Sequence, residues 1–291
     1  MSDGGASRRG FFRDLGKAVA STRDALAPDP PREPAPPPPP PDFGGLSDAE
    51  IERYARQLVL PEWGTAAQLA ISEANVLVVG AGALAAPVAT YLVGAGVGRL
   101  GILDPDDVEL SNLHRQTLHF TPDLGVPKAE SAAAKLRFLN PDVIVEPYQV
   151  RLEEENAAAL IEGQDVVVDC SDSFATRYAV NAACCAAGVR LVEAGVLGLQ
   201  GMVMSIKPGR TACYRCAFPA APADAPSCAD AGVLGPAAGV IGSLQALEAM
   251  KLVTGVAPAI ADGFLQVDLA SGDFLRVHAA RRADCPDCGK L

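Results

Sequence analysis

A chain of 291 residues with 49% hydrophobic content can bury a full core, and that length suits one large α/β domain with extensions. A formal net charge of −11 excludes a broad nucleic-acid or anionic-membrane surface, because such partners are met by basic patches. No apolar run is long enough to cross a bilayer, so no membrane span is expected.

Residues 1–45 differ in composition from everything after them and are expected to be a disordered, proline-rich leader, leaving residues 46–291 as the folded domain. Ser7, Arg8, Arg9, Gly10, Phe11 and Phe12 resemble a twin-arginine export signal, but Arg13, Asp14, Lys17, Arg23 and Asp24 interrupt the apolar stretch that export needs. A short amphipathic helix with Phe11, Phe12, Leu15, Val19 and Leu26 partly on one face is an alternative. The proline run 34–41 reads as an extended polyproline spacer.

Ser47 and Glu50 form a capping box, which starts a helix over 51–60 with Tyr54 and Leu58 on its apolar side. Val76 to Val79 then form a short apolar run that empties into Gly80, Ala81 and Gly82, followed by an Ala/Val/Leu helix over 84–93. Glycines at this turn allow close approach of a ligand, and the helix start attracts a phosphate. A second apolar run over 100–103 ends on Asp104, about 20 residues past the glycines, where a carboxylate can accept hydrogen bonds from ribose hydroxyls. Together they specify a nucleotide.

Beyond Asp104 stand Asn112, Arg115, Gln116 and Lys128. Two cations near the phosphates suit displacement on a triphosphate better than hydride transfer, although singly each could be a solvated surface charge. A helix runs from Lys128 to Leu139, a β-branched run covers 143–145, a short helix covers 153–161, and a buried strand covers 165–169. This alternation predicts a doubly wound, Rossmann-like, mostly parallel sheet with ligands at the carboxyl ends of its strands. Asp172 lies just past such an end, where it could hold Mg²⁺ against phosphates or simply cap the helix over 174–187. Arg177 and Asn181 share one face of that helix, and Cys184 and Cys185 read as buried small hydrophobes. Strands follow at 190–193 and 200–206, the latter with Met202, Met204 and Ile206 alternating as core.

Of the eight cysteines, Cys213/Cys216 and Cys285/Cys288 form two C-x-x-C pairs. Four thiolates in this pattern read as a tetrahedral structural Zn²⁺ site, with one redox pair and one incidental pair as the alternative. Between the pairs, residues 218–231 are rich in Ala, Pro and Asp around Cys228 and are expected to form a loop over the site. A helix over 236–253, with Gly239 and Gly242 expected at close contacts, and an antiparallel hairpin of strands 264–269 and 273–278 complete the chain.

The ordered set of Gly80, Gly82, Asp104, Asn112, Arg115, Gln116, Lys128, Asp172 and the two cysteine pairs resembles the ubiquitin-activating-like adenylyltransferases of the ThiF/MoeB/HesA group, over roughly residues 46–291. Within that group the resemblance is closest to the molybdopterin-synthase adenylyltransferases. It implies that ATP and Mg²⁺ bind at the glycine turn and that Arg115 and Lys128 clamp the phosphates. Asn112 and Gln116 would add phosphate contacts, Asp172 would hold the metal and Asp104 the ribose. It implies further that Arg56 reaches across a homodimer into the partner's ATP site, where otherwise it would be an exposed helix arginine. The expected substrate is a small ubiquitin-like sulfur carrier ending in Gly-Gly, which is adenylated with release of pyrophosphate. Cys228 occupies a position used by some relatives for thioester or sulfur transfer. No rhodanese-like segment follows Leu291, so a separate sulfur donor protein is expected, in the cytoplasm. A non-catalytic docking relative and a nicotinamide-dependent oxidoreductase are the competing readings.

Overall fold

The computed structural model describes residues 43–221, 232–257 and 259–291. The leader, its twin arginines and its proline run therefore lie outside the described residues, as does Cys228 with most of the loop around it. Residues 42–291 form one compact unit.

Eight strands build a single sheet: β1 (Asn75–Val79), β2 (Arg99–Leu103), β3 (Ile144–Tyr148), β4 (Val166–Asp169), β5 (Arg190–Leu197), β6 (Gln200–Ile206), β7 (Gly263–Asp268) and β8 (Asp273–His278). Their order is β3-β2-β1-β4-β5-β6-β7-β8. The first five run parallel, and β6, β7 and β8 add antiparallel strands on one side. From β1 the chain builds outward through β2 to β3, then returns to place β4 on the other flank of β1. That reversal between β1 and β4 opens a crevice at the strands' carboxyl ends, where ligands bind in open α/β sheets.

Alternation along the strands divides the interior into two cores. Val76, Val78, Leu100, Ile102, Val166 and Val168 face α3 (Ala85–Gly94), α4 (Lys128–Leu139) and α8 (Gly235–Thr254). Leu77, Val79, Leu103, Val167 and Leu191 face α5 (Glu154–Ile161) and α6 (Phe174–Ala187). Cys184, Cys185, Met204 and Ile206 are buried in this second core, as their spacing implies. The helix α1 (Asp48–Leu58) begins with the expected capping box, in which Glu50 N–H donates to Ser47 Oγ and Ser47 N–H donates to Glu50 Oε2.

The structure departs from the sequence reading in four places. The helix α2 (Gly64–Ser72) was not anticipated; Gln68, wholly buried on it, donates from Nε2 to the Ala95 carbonyl. The third strand runs on through Pro147 because β3 is an edge strand, where a missing N–H costs no ladder bond. The fifth strand continues past Glu193 to Leu197, because β6 pairs with it antiparallel through a two-residue turn at Gly198 and Leu199. Of the two glycines expected at close contacts on α8, Gly242 is closely packed and Gly239 is not. A Cβ at Gly242 would come within 2.4 Å of the Leu84 carbonyl oxygen, whereas at Gly239 it would meet nothing within 4 Å.

Candidate nucleotide cleft and cysteine cluster

The cleft at the β1/β4 crevice occupies about 900 Å³, its open mouth included. Its floor is the turn after β1. Gly80 has φ +99, and a Cβ there would stand 3.0 Å from the Cys170 carbonyl oxygen, so both conformation and space require glycine. Gly82 has no positive φ; it keeps the floor low beneath the Gln116 amide, 3.7 Å from where its Cβ would lie. No side chain caps α3 at Leu84; Ala86 N–H already donates to the Gly82 carbonyl at 3.1 Å and Pro87 has no N–H, so the helix start offers a ligand at most the N–H groups of Leu84 and Ala85.

Asp104 lies at the end of β2 and is buried. Its Oδ2 accepts from Ala81 N–H at 2.7 Å and its Oδ1 from Asp106 N–H at 2.9 Å. Burial pushes its carboxyl above the ordinary value, against those two N–H groups and Lys128. It therefore anchors the glycine turn as well as lining the cleft. The same turn is held from the other side by His119, which the sequence reading missed. His119 Nε2 donates to the Ala81 carbonyl at 2.8 Å and Nδ1 pairs with Ser131 Oγ at 2.9 Å. Burial, with Lys135 and Lys128 nearby, lowers its pKa against the Ala81 hydrogen bond and Asp104, which favours the neutral imidazole. Nothing in its neighbours Leu118 and Phe120 signals this role.

Arg115, Gln116 and Lys128 all line the cleft. Lys128, at the start of α4, is 7% exposed and donates from Nζ to Asp106 Oδ2 at 3.2 Å, so it is not a solvated surface charge. Gln116 is buried with Oε1 left unpartnered. Arg115 is half-buried, its Nη1 donating to the Ser111 carbonyl at 2.9 Å. Asn112, expected at the phosphates, is placed elsewhere. Its Oδ1 accepts from Glu109 N–H and its Nδ2 donates to Ser111 Oγ, while its carbonyl accepts from the N–H of Arg115 and Gln116. It builds the turn that presents those two side chains, and it is not among the residues lining the cleft.

Asp172, just past β4, stands exposed on the cleft wall with no hydrogen bond or ion pair among the described residues. Cys170 also lines the cleft, but burial, then Asp169 and Glu193, push its thiol well up, which makes it inert. Arg151 at the mouth lies 3.6 Å from Asp106, a cation that the sequence reading left unassigned. Arg56 is exposed at the end of α1, has no partner among the described residues and does not line this chain's cleft.

The four paired cysteines meet within the second core, Cys213 and Cys216 at α7 (Tyr214–Ala217). All are free and buried, and their sulfurs lie within 4.8 Å of one another. The measured separations are 3.8 Å for Cys213–Cys216, 3.6 Å for Cys213–Cys285 and 3.4 Å for Cys216–Cys288. Sulfurs bound about 2.3 Å from one tetrahedral centre stand about 3.8 Å apart, so this donor set fits a metal ion. Hydrogen bonds brace the cluster: Asn181 Oδ1 accepts from Tyr214 N–H, Asn181 Nδ2 and Arg215 Nε donate to Asp287 Oδ2, and Arg282 N–H donates to Cys216 Sγ at 3.3 Å.

Fold and site together define a Rossmann-like α/β protein with phosphate-type donors at its switch point and a buried four-thiol cluster. A model of the ThiF family matches residues 54–288, and the chain belongs to that family. Among curated proteins it is 46% identical over 246 residues to the adenylyltransferase and sulfurtransferase MOCS3 of Xenopus laevis, covering 84% of this chain and 54% of that protein. It is 44% identical to the sulfur carrier protein adenylyltransferase of Thermus thermophilus (82% and 91% covered) and 43% identical to the SAMP-activating enzyme E1 of Haloferax volcanii (84% and 91%). The chain spans about half the length of the MOCS3 proteins it matches. In fold it is similar to E. coli MccB crystallised with ATP, with a TM-score of 0.73 at 20% identity over 85% of this chain and 75% of that one. No helix among the described residues is long and apolar enough to cross a membrane.

Proposed function

We propose that this chain uses ATP to adenylate the C-terminal Gly-Gly carboxylate of a small ubiquitin-like sulfur carrier protein, preparing it to receive sulfur. The observation that carries this reading is the convergence of Lys128, Arg115 and the unpartnered Gln116 Oε1 and Asp172 carboxylate on the uncapped start of α3. The names of the Thermus thermophilus and Haloferax volcanii relatives support it.

A carboxylate oxygen of the carrier would attack the α-phosphorus in line, forming the acyl–phosphate bond as the α–β bridge breaks and pyrophosphate leaves. The protein supplies no nucleophile for this step, only alignment and charge. Lys128 would exchange its Asp106 partner for phosphate oxygens, Arg115 would turn from the Ser111 carbonyl to the same charge, and Asp104 would accept from the ribose. Asp172, an unpartnered carboxylate at the phosphate end, fits Mg²⁺, which when bound neutralises phosphate charge. Arg56, exposed and unpartnered, would complete the site of a second copy in a homodimer. The metal at Cys213, Cys216, Cys285 and Cys288 is Zn²⁺ in this reading, because four thiolates in a tetrahedral cluster select it. Cys228 is the candidate for thioester or sulfur transfer in this reading, and the setting is cytoplasmic.

ATP–pyrophosphate exchange with candidate Gly-Gly-terminated carriers tests the proposal. Exchange that requires a carrier and vanishes in Asp172→Ala is expected. A zinc-loaded chain that shows no exchange with any carrier would overturn it.

A further inference from the structure

On the cleft wall, where β4 hands over to α6, Ser171 and Arg177 line the cleft, and Arg177 reaches back into a buried charge cluster that the chemistry above does not use. Arg177 sits in the first turn of α6 with its side chain 11% exposed, against a Glu193 side chain with no exposure. Its Nη1 donates to Glu193 Oε1 at 2.6 Å and its Nη2 to the Ser171 carbonyl at 2.8 Å. Ser171 N–H in turn donates to Asp169 Oδ1 at 2.8 Å. Both sides of the Ser171 residue are thus tied down, and the next residue is Asp172.

Asp169 and Glu193 are register partners on the parallel pair β4/β5, and each keeps one buried oxygen without a partner. A proton shared between those oxygens would satisfy both and leave one negative charge against one guanidinium. Burial first, then the Asp169 charge, push the Glu193 carboxyl well up, in keeping with that proton. Burial opposes the Arg177 charge, and the Glu193 and Asp169 carboxylates more than offset it. Two residues along the same strand face, Gly195 leaves room for the guanidinium, since a Cβ there would stand 3.1 Å from Nη1. A buried ion pair returns little net stability over an apolar core of the same volume. What this one specifies is the geometry of the segment it grips.

We propose that Arg177, buttressed by Glu193, is a positioning residue that fixes the Ser171 peptide and so aims the Asp172 carboxylate at the phosphate end of the cleft. This rests on the adenylation reading only in that it takes Asp172 as the metal-facing group.

The test is ATP binding to the purified chain by calorimetry, with and without Mg²⁺ over a titration series, alongside thermal melting. Arg177→Lys keeps the charge but cannot span both acceptors. It is expected to raise the Mg²⁺ concentration for half-maximal ATP binding about tenfold, the scale on which groups supporting a metal ligand act, a larger change than any in Mg²⁺-free ATP binding. Glu193→Leu, which removes the acceptor of Arg177 Nη1, is expected to shift it the same way by a smaller factor, and it decides the matter should the lysine variant not fold. Folded variants with native Mg²⁺ dependence and only a lower melting temperature would overturn the proposal and make the pair purely structural. If instead Asp172→Ala leaves the native Mg²⁺ dependence intact, the adenylation reading's metal assignment fails, and the proposal fails with it before Arg177 is considered.

Discussion

The nucleotide cleft and the cysteine cluster lie on one sheet and meet opposite physical demands. In the cleft the polar groups hold replaceable partners: Lys128 rests on Asp106, Arg115 on a carbonyl, and Gln116 Oε1 and Asp172 on nothing in the described chain. In the cluster every thiol is buried among the other three, with no open side. A closed set of thiolates repels itself unless an ion sits at its centre, so its ligand belongs to folding. An open set with exchangeable partners folds without its ligand, which belongs to turnover.

That contrast breaks most visibly at the cluster. Cys285→Ser with Cys288→Ser is expected to abolish stoichiometric zinc and cost about 4 kcal/mol, roughly 10 °C in melting temperature for a domain of this size. Metal analysis and calorimetry check it, and a double variant that melts like the native chain would make the cluster incidental. Asp172→Ala should do the reverse, lowering pyrophosphate exchange by about 10²–10³-fold, the equivalent of about 2.7–4 kcal/mol in the transition state, with melting unchanged. Lys128→Ala is expected to follow it at about 10²-fold, and its melting should stay native because Asp106 keeps Arg151.

Gly242→Ala joins the two measures at the cleft end alone. The added methyl presses on the Leu84 carbonyl and Pro87 at the start of α3, so about 2 kcal/mol of stability and some ATP affinity should be lost while zinc content holds. The smallest effect is a pH dependence. His119 has its pKa lowered below the ordinary 6.5, so the fold favours the neutral ring. Its contribution is fully present above that value and is lost as the pH falls through the folded pKa. A shallow decline in stability on acidification, removed in His119→Gln, is the expected result of melting curves taken across that range.

How far the site could be read in advance follows the same division. Gly80, Gly82, Asp104, Arg115, Gln116 and Lys128 fall within one contiguous stretch, and local rules for a strand, a turn and a helix bring them to one crevice. Asn112 lies in that stretch too, yet its amide is spent on the turn beneath Arg115, because a short polar side chain finds nearby backbone first. The two C-x-x-C pairs announced a cluster by spacing, without showing what would brace it.

The sequence by itself determined the doubly wound class, the glycine turn, the carboxylate at the end of β2 and the pairing of cysteines, because each depends on groups a few residues apart or on a two-residue alternation. Only the tertiary structure decided that β5 and β6 form a hairpin, that His119 holds the Ala81 carbonyl, and that Arg177 finds Glu193 sixteen positions away. Those contacts join different elements, and whether a buried charge meets its partner depends on sheet register, which no local pattern of residues encodes.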